Sequence, residues 1–225
     1  MNEYIIQFLT AGYGKEEEIA MASISGANII NYDYLLRNCY SSNRYARKGA
    51  SRATYGSTEL LSADSGALGK ITTNLQEISY DKDNGKNIYN NAKVLIETYN
   101  NTVGSAGKTE SSELERHMKK MKQFLKDNRE AFESIGIKIT STGKMELDKE
   151  KMLETSSAKM EKILSGDLSK SLGKYAKKIN TVAQKLLREE AAKASLKKSQ
   201  ANLSPNASFG TAGMSTSPNS VDVRA

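Results

Sequence analysis

Between positions 114 and 135 the side chains Leu114, Met118, Met121, Leu125, Phe132 and Ile135 recur at alternating spacings of four and three, with Asn128 holding the one polar place in the series. A chain with such a stripe must bury one face of a helix, and an a/d seam of this kind does so against other helices. The spacing predicts one continuous helix, in which Asn128 trades stability for register. Ser111, Ser112, Glu113 and Glu115 suit its N-terminus, where side-chain acceptors and negative charge are favoured.

The same periodicity extends to both sides of this seam. Leu68, Ile71, Leu75 and Ile78 form a stripe from Ala63 onward, Asp81–Gly85 reads as a turn, and Ile88, Ala92, Leu95, Tyr99 and Val103 continue the stripe in a second helix that ends at Gly104–Gly107. After Gly136, Ile137–Thr140 and Lys144–Leu147 alternate apolar and polar residues around Ser141-Thr142-Gly143, the pattern of a β-hairpin. Asp148 then caps a helix with Met152, Leu153, Met160, Ile163 and Leu164 on its apolar side. A last helix starts near Gly166-Asp167 and carries Leu168, Leu172, Tyr175, Ile179, Val182 and Leu186 at heptad spacing. The fold expected is mainly α: an elongated antiparallel helical bundle or coiled coil with one small β-hairpin near 137–147.

Composition agrees with thin helical layers. Hydrophobic residues make up 38% of the chain, Trp is absent and Phe occurs four times, so buried area must come from Leu, Ile, Met and Ala. Residues 1–62 are expected to be an irregular segment with short helices around Glu16–Ala22 and Tyr32–Cys39, residues 63–200 the bundle with its hairpin, and residues 201–225, rich in Ser, Asn, Gly and Pro, a disordered tail.

One segment carries the resemblance to a known family. Asn91–Asn101 with its Tyr99-Asn100 pair, a following helix, Ala131–Ile137, the Gly143–Asp148 hairpin strand and Lys149–Leu153 resemble the flagellar filament-capping protein family, also called hook-associated protein 2. In that family a helix ending in a Tyr-Asn-like pair precedes a helix, a Leu-Gly-Ile turn and a Gly-x-Leu-x-Leu-Asp hairpin. Ala63–Leu68 is also similar to the entry into a helix of flagellar rod and filament proteins. The match lies mainly in residues 63–165. What it implies is a reduced relative keeping the helical module, a structural part of an extracellular flagellar assembly. Such a protein is exported without a cleaved signal and acts with copies of itself or other flagellar structural proteins.

Chemistry-bearing motifs are sparse. Cys39 is the single cysteine and His117 the single histidine, which excludes an internal disulfide and a cysteine-based metal site within one chain. Gly12-Tyr13-Gly14-Lys15 lacks the second glycine spacing and the Ser or Thr of a phosphate-binding loop, and is better read as a turn. Asp81–Gly85 places its glycine one position early for a calcium loop, with Ala92 where a bidentate Glu is needed. His117 has Glu113 and Glu115 near it but no nucleophile at motif spacing, so it reads as a solvated helix histidine. No enzyme activity, cofactor, metal or small-molecule substrate is expected. No stretch approaches the ~20 apolar residues of a membrane span, and the expected location is the extracellular assembly, with the cytoplasm as the alternative.

The net charge of +7 is concentrated, because Gly166–Gln200 holds nine basic residues against three acidic ones. Two sets of candidate residues follow. The helix-packing and self-assembly set is Leu114, Met118, Met121, Leu125, Phe132, Ile135, Leu168, Leu172, Tyr175, Ile179, Val182 and Leu186. The acidic-partner set is Lys174, Lys177, Lys178 and Lys185, on the opposite face of the last helix. The alternative function is thus a cytoplasmic protein docking this basic helix on nucleic acid or an acidic partner. With only Tyr175 interleaved, base stacking is disfavoured and nucleic acid is the less favoured of the two.

Overall fold

The computed structural model of the chain describes residues 30–202. They form a mainly helical protein with one two-stranded antiparallel sheet. The helix expected at Glu16–Ala22, the Gly12–Lys15 turn and the tail from Leu203 onward lie outside these residues. The chain divides into two compact units between Arg188 and Glu189, each described by itself below.

The first unit begins with helix α1 (Tyr32–Cys39), capped by the Asn31 side chain on the Asp33 amide, which buries Leu35, Leu36 and Cys39. A 3-10 turn (Arg44–Arg47) and the short α2 (Gly49–Arg52) lead to α3 (Ser57–Glu77). This helix starts six residues before the Ala63 expected from periodicity. Its first half is buried almost all round, from Leu60 to Ser65, and its second half buries the Leu68, Ile71 and Leu75 stripe against α4 (Gly85–Ala106). Between them the chain turns back at Asp81–Asn84, tied by the Tyr80 hydroxyl donating to the Leu75 carbonyl at 2.6 Å.

At the centre of this packing sits Asp64, with no exposed area. Arg52 reaches it with both terminal nitrogens, at 2.8 and 2.7 Å, Tyr40 donates to it at 2.7 Å and Ser105 of α4 at 2.8 Å. A carboxylate out of water is costly unless its lone pairs are bonded, and these four donors meet that need. The network also joins the irregular Tyr40–Arg52 stretch to α3 and α4, so residues on both sides of position 62 share one buried group.

Helix α5 (Ser112–Asp127) starts where Ser111 accepts from the Leu114 amide, and buries Leu114, Met118, Met121 and Leu125. The expected single helix to Ile135 is broken at Asn128. Its side chain donates to the Phe124 carbonyl at 2.8 Å, and a separate short helix, α6 (Arg129–Glu133), follows. Asn competes with the helix by bonding nearby backbone, so this polar member of the stripe ends the helix instead of setting a seam register. Phe132 and Ile135 remain buried beyond the break.

Strands β1 (Ile137–Ile139) and β2 (Met145–Leu147) pair with Ile137 opposite Leu147 and Ile139 opposite Met145. Asp148 caps α7 (Lys149–Glu154), and a second break at Thr155-Ser156 separates it from α8 (Ser157–Leu164). Met152 is buried, but Leu153, expected on the same apolar side, is 53% exposed, since adjacent helical positions point about 100° apart and only one of the two faces the core. Helix α9 (Asp167–Asn202) buries Leu172, Ala176, Ile179 and Ala183. It approaches α3 so closely at Gly173 that an added Cβ would lie 2.6 Å from the Thr72 hydroxyl. Asn180 donates to the Ser62 carbonyl at 2.7 Å and Gln184 to the Ser62 hydroxyl at 2.6 Å. In the second unit, the helical side chains from Glu189 to Gln200 are all exposed.

Candidate interaction surface

Helix α5 has three working sides. Its apolar stripe faces the core, one flank meets α9 and the other faces the hairpin turn. The α9 flank is fixed by Phe124 against Tyr175, with ring centroids 5.6 Å apart, and by Lys185 paired with Glu113 at 3.4 Å.

The structure divides the sequence-predicted residues into two groups. Leu114, Met118, Met121, Leu125, Phe132 and Ile135, with Leu172, Ile179 and Val182, are buried inside a single chain, while Leu168, Tyr175 and Leu186 are half-buried against the same core. Side chains this far enclosed by their own chain leave little of either stripe for a second copy. Lys174, Lys177 and Lys178 project from the opposite side of α9, are exposed, and have no ion-pair partner among the described residues. Lys185 lies with them but is engaged by Glu113.

These lysines do not stand alone. His117, on the α9 flank of α5, has its pKa lowered by burial first and then by Arg116, Lys178 and Lys120, against an opposing pull from Glu113. Its Nδ1 is shielded from water without a hydrogen-bond partner, an arrangement that disfavours the charged ring. The histidine thus lies within electrostatic reach of cations from both α5 and α9, with Glu113, itself paired to Lys185, among them. Sequence reasoning found the α9 half and missed Arg116 and Lys120, which could have been found by their place beside the α5 seam.

On the other flank, α5, the C-terminal end of α4 and the hairpin turn enclose a groove of about 770 Å³. Val103, Ala106, Met118 and Ile139 contribute its apolar floor, Glu115, Lys119, Lys122 and Lys126 one wall, and Thr140, Ser141 and Thr142 the other. The hairpin is held in place by the Tyr99 hydroxyl donating to the Gly143 carbonyl at 2.7 Å. Asn100 adds a two-way clamp, donating to the Met145 carbonyl at 2.8 Å and accepting from its amide at 2.9 Å. Gly143 takes φ +76° in the turn, and the aliphatic stem of Lys122 passes beside its Cα. Nothing in the sequence reading pointed to this groove.

Among the described residues no group of three His, Cys, Asp or Glu could hold a metal ion, and no helix is long and apolar enough to cross a membrane. Cys39 is buried, and burial pushes its thiol pKa up to about 11, so it is poorly nucleophilic. No protein family, curated protein or solved structure matches the chain.

Proposed function

We propose that the chain is a non-enzymatic interaction protein that docks an acidic partner on the positive face shared by α5 and α9. The observation that supports this reading is that Arg116 and Lys120 of one helix and Lys178 of the other all act on His117, with Lys174 and Lys177, exposed and unpaired among the described residues, further along the surface of α9 and Glu113 engaged by Lys185. Like charges gathered on one surface repel one another, and a partner of opposite charge relieves that repulsion. Tyr175, the aromatic closest in sequence to these cations, is turned onto Phe124, which leaves phosphates or carboxylates, not stacked bases, as the groups this face suits.

The test is titration of fluorescein-labelled polyglutamate and of duplex DNA with wild-type protein and with the triple variant Lys174→Gln, Lys177→Gln, Lys178→Gln. The reading expects salt-sensitive binding of polyglutamate that the triple variant loses while keeping wild-type helicity. Tight DNA binding at physiological salt, with a log–log slope of about −0.9 per phosphate contacted, would transfer the face to nucleic acid. Equal binding by wild type and variant would remove the α9 lysines from the function.

A second reading, assembly in the manner of the flagellar cap family, draws on one observation. Tyr99-Asn100 and the Gly143–Leu147 strand, two of the pieces that carry the resemblance, bond directly to each other, so they serve one packed module. Recovery of the protein in a sheared flagellar filament fraction of its host would favour that reading, and its absence there would end it.

A further inference from the structure

We propose that the groove between α5 and the hairpin turn docks an acidic amphipathic helical segment of a partner protein, at a site separate from the α5–α9 face. Its chemistry is zoned. Lys119, Lys122 and Lys126 follow one another at spacings of three and four along one wall, covering about 10 Å of helix axis. None of the three has an ion-pair partner among the described residues. Arg129, next in the same series, is occupied by Glu133 at 2.6 Å and ends the free run on one side, and Glu115, one turn before Lys119 on the same wall, bounds it on the other. A helix laid along this wall presents carboxylates at the same three and four spacing, so three acidic residues on one face meet three lysines in register.

The floor decides between an acidic peptide and a phosphate backbone. Val103 is half-buried and Ala106, Met118 and Ile139 keep 7–8% of their area exposed, a narrow apolar strip that a row of phosphates cannot use and a leucine of an amphipathic helix can. No aromatic side chain among the described residues lines the groove, so unpaired bases have nothing there to stack on. The far wall supplies the Ser141 and Thr142 hydroxyls, which donate to carboxylates or to the polar edge of a helix. The wall is also firm, because Tyr99 and Asn100 hold the hairpin backbone against α4, and a preformed groove loses less entropy when it binds.

The experiment uses the full chain and three labelled probes in fluorescence anisotropy: a set of 16-residue helical peptides combining Glu with a Leu face, polyglutamate without apolar residues, and single-stranded oligo-dT. We expect at least one Leu-bearing acidic peptide to bind, more tightly than polyglutamate. Lys122→Glu with Lys126→Glu should weaken it by about tenfold or more, as should Thr142→Glu on the exposed far wall. The triple Gln variant of α9 should bind the peptide as wild type does, even if the α5–α9 face proves to have no partner. Failure of every peptide at millimolar concentration would overturn the proposal. So would equal binding of polyglutamate, oligo-dT binding that the groove variants abolish, or peptide binding insensitive to folded groove variants.

Discussion

Removing Asp64 tests how much one buried group organises around itself. Asp64→Ala strands Arg52 without its counter-charge and leaves the buried Tyr40 hydroxyl without its acceptor, while Ser105 keeps the Asn101 carbonyl, so unfolding free energy should fall by about 3–5 kcal/mol in urea titration. A change under about 0.5 kcal/mol would mean the network is dispensable. His117 gives a pH signature of definite sign. Its folded pKa lies below the unfolded value of about 6.5, so its contribution is complete above that value and is lost as pH falls toward the folded one, because the unfolded chain binds the proton first. His117→Gln should therefore flatten the acid-side decline of stability between pH 7.5 and 5, measured by denaturation at each pH. Neither role was visible in the sequence. Asp64 sits in an Ala-Asp-Ser-Gly run that reads as a helix entry, and its partners Arg52 and Ser105 are separated from it by 12 and 41 positions.

At the level of elements, the α5 seam is a packing device of one chain, and Leu125→Ala should cost about 2–5 kcal/mol, as expected for emptying a fully buried leucine site. Gly136 links this helix pair to the hairpin at φ +86°, where an added Cβ would lie 2.7 Å from the Asp148 carbonyl and 2.8 Å from the Met152 amide nitrogen. Gly136→Ala should then destabilise the fold by about 2 kcal/mol or more, with loss of the hairpin's slowly exchanging amides as the first sign. The hairpin was legible because alternation at Ile137–Ile139 and Met145–Leu147 brackets a glycine turn, periodicity located α4 and α9, and α1 falls on the short helix expected at Tyr32–Cys39 within the irregular segment. The break at Asn128 was not, because apolar spacing runs through it unchanged and the stop comes from a side chain bonding one turn back. Met152 and Leu153 point about 100° apart on α7, and only the packed fold shows which of them faces the core.

In the first unit as a whole, both apolar stripes pack largely inside and the lysines of α5 and α9 stand at the surface. The groove belongs to this scale, since it exists only once Tyr99 and Asn100 have set the hairpin beside α5, and no local pattern in Lys119, Lys122 and Lys126 shows what they face. The claim that the seams are internal is tested most directly by sedimentation velocity, with helicity recorded on the same samples, of the double variant Leu172→Asp, Ile179→Asp. Both residues are completely buried against the chain's own core. The account predicts a variant that loses much of its helical signal and sediments as an expanded, poorly folded chain. A variant that keeps wild-type helicity while a larger wild-type species disperses into compact single chains would contradict it, and would return the seam to assembly between copies.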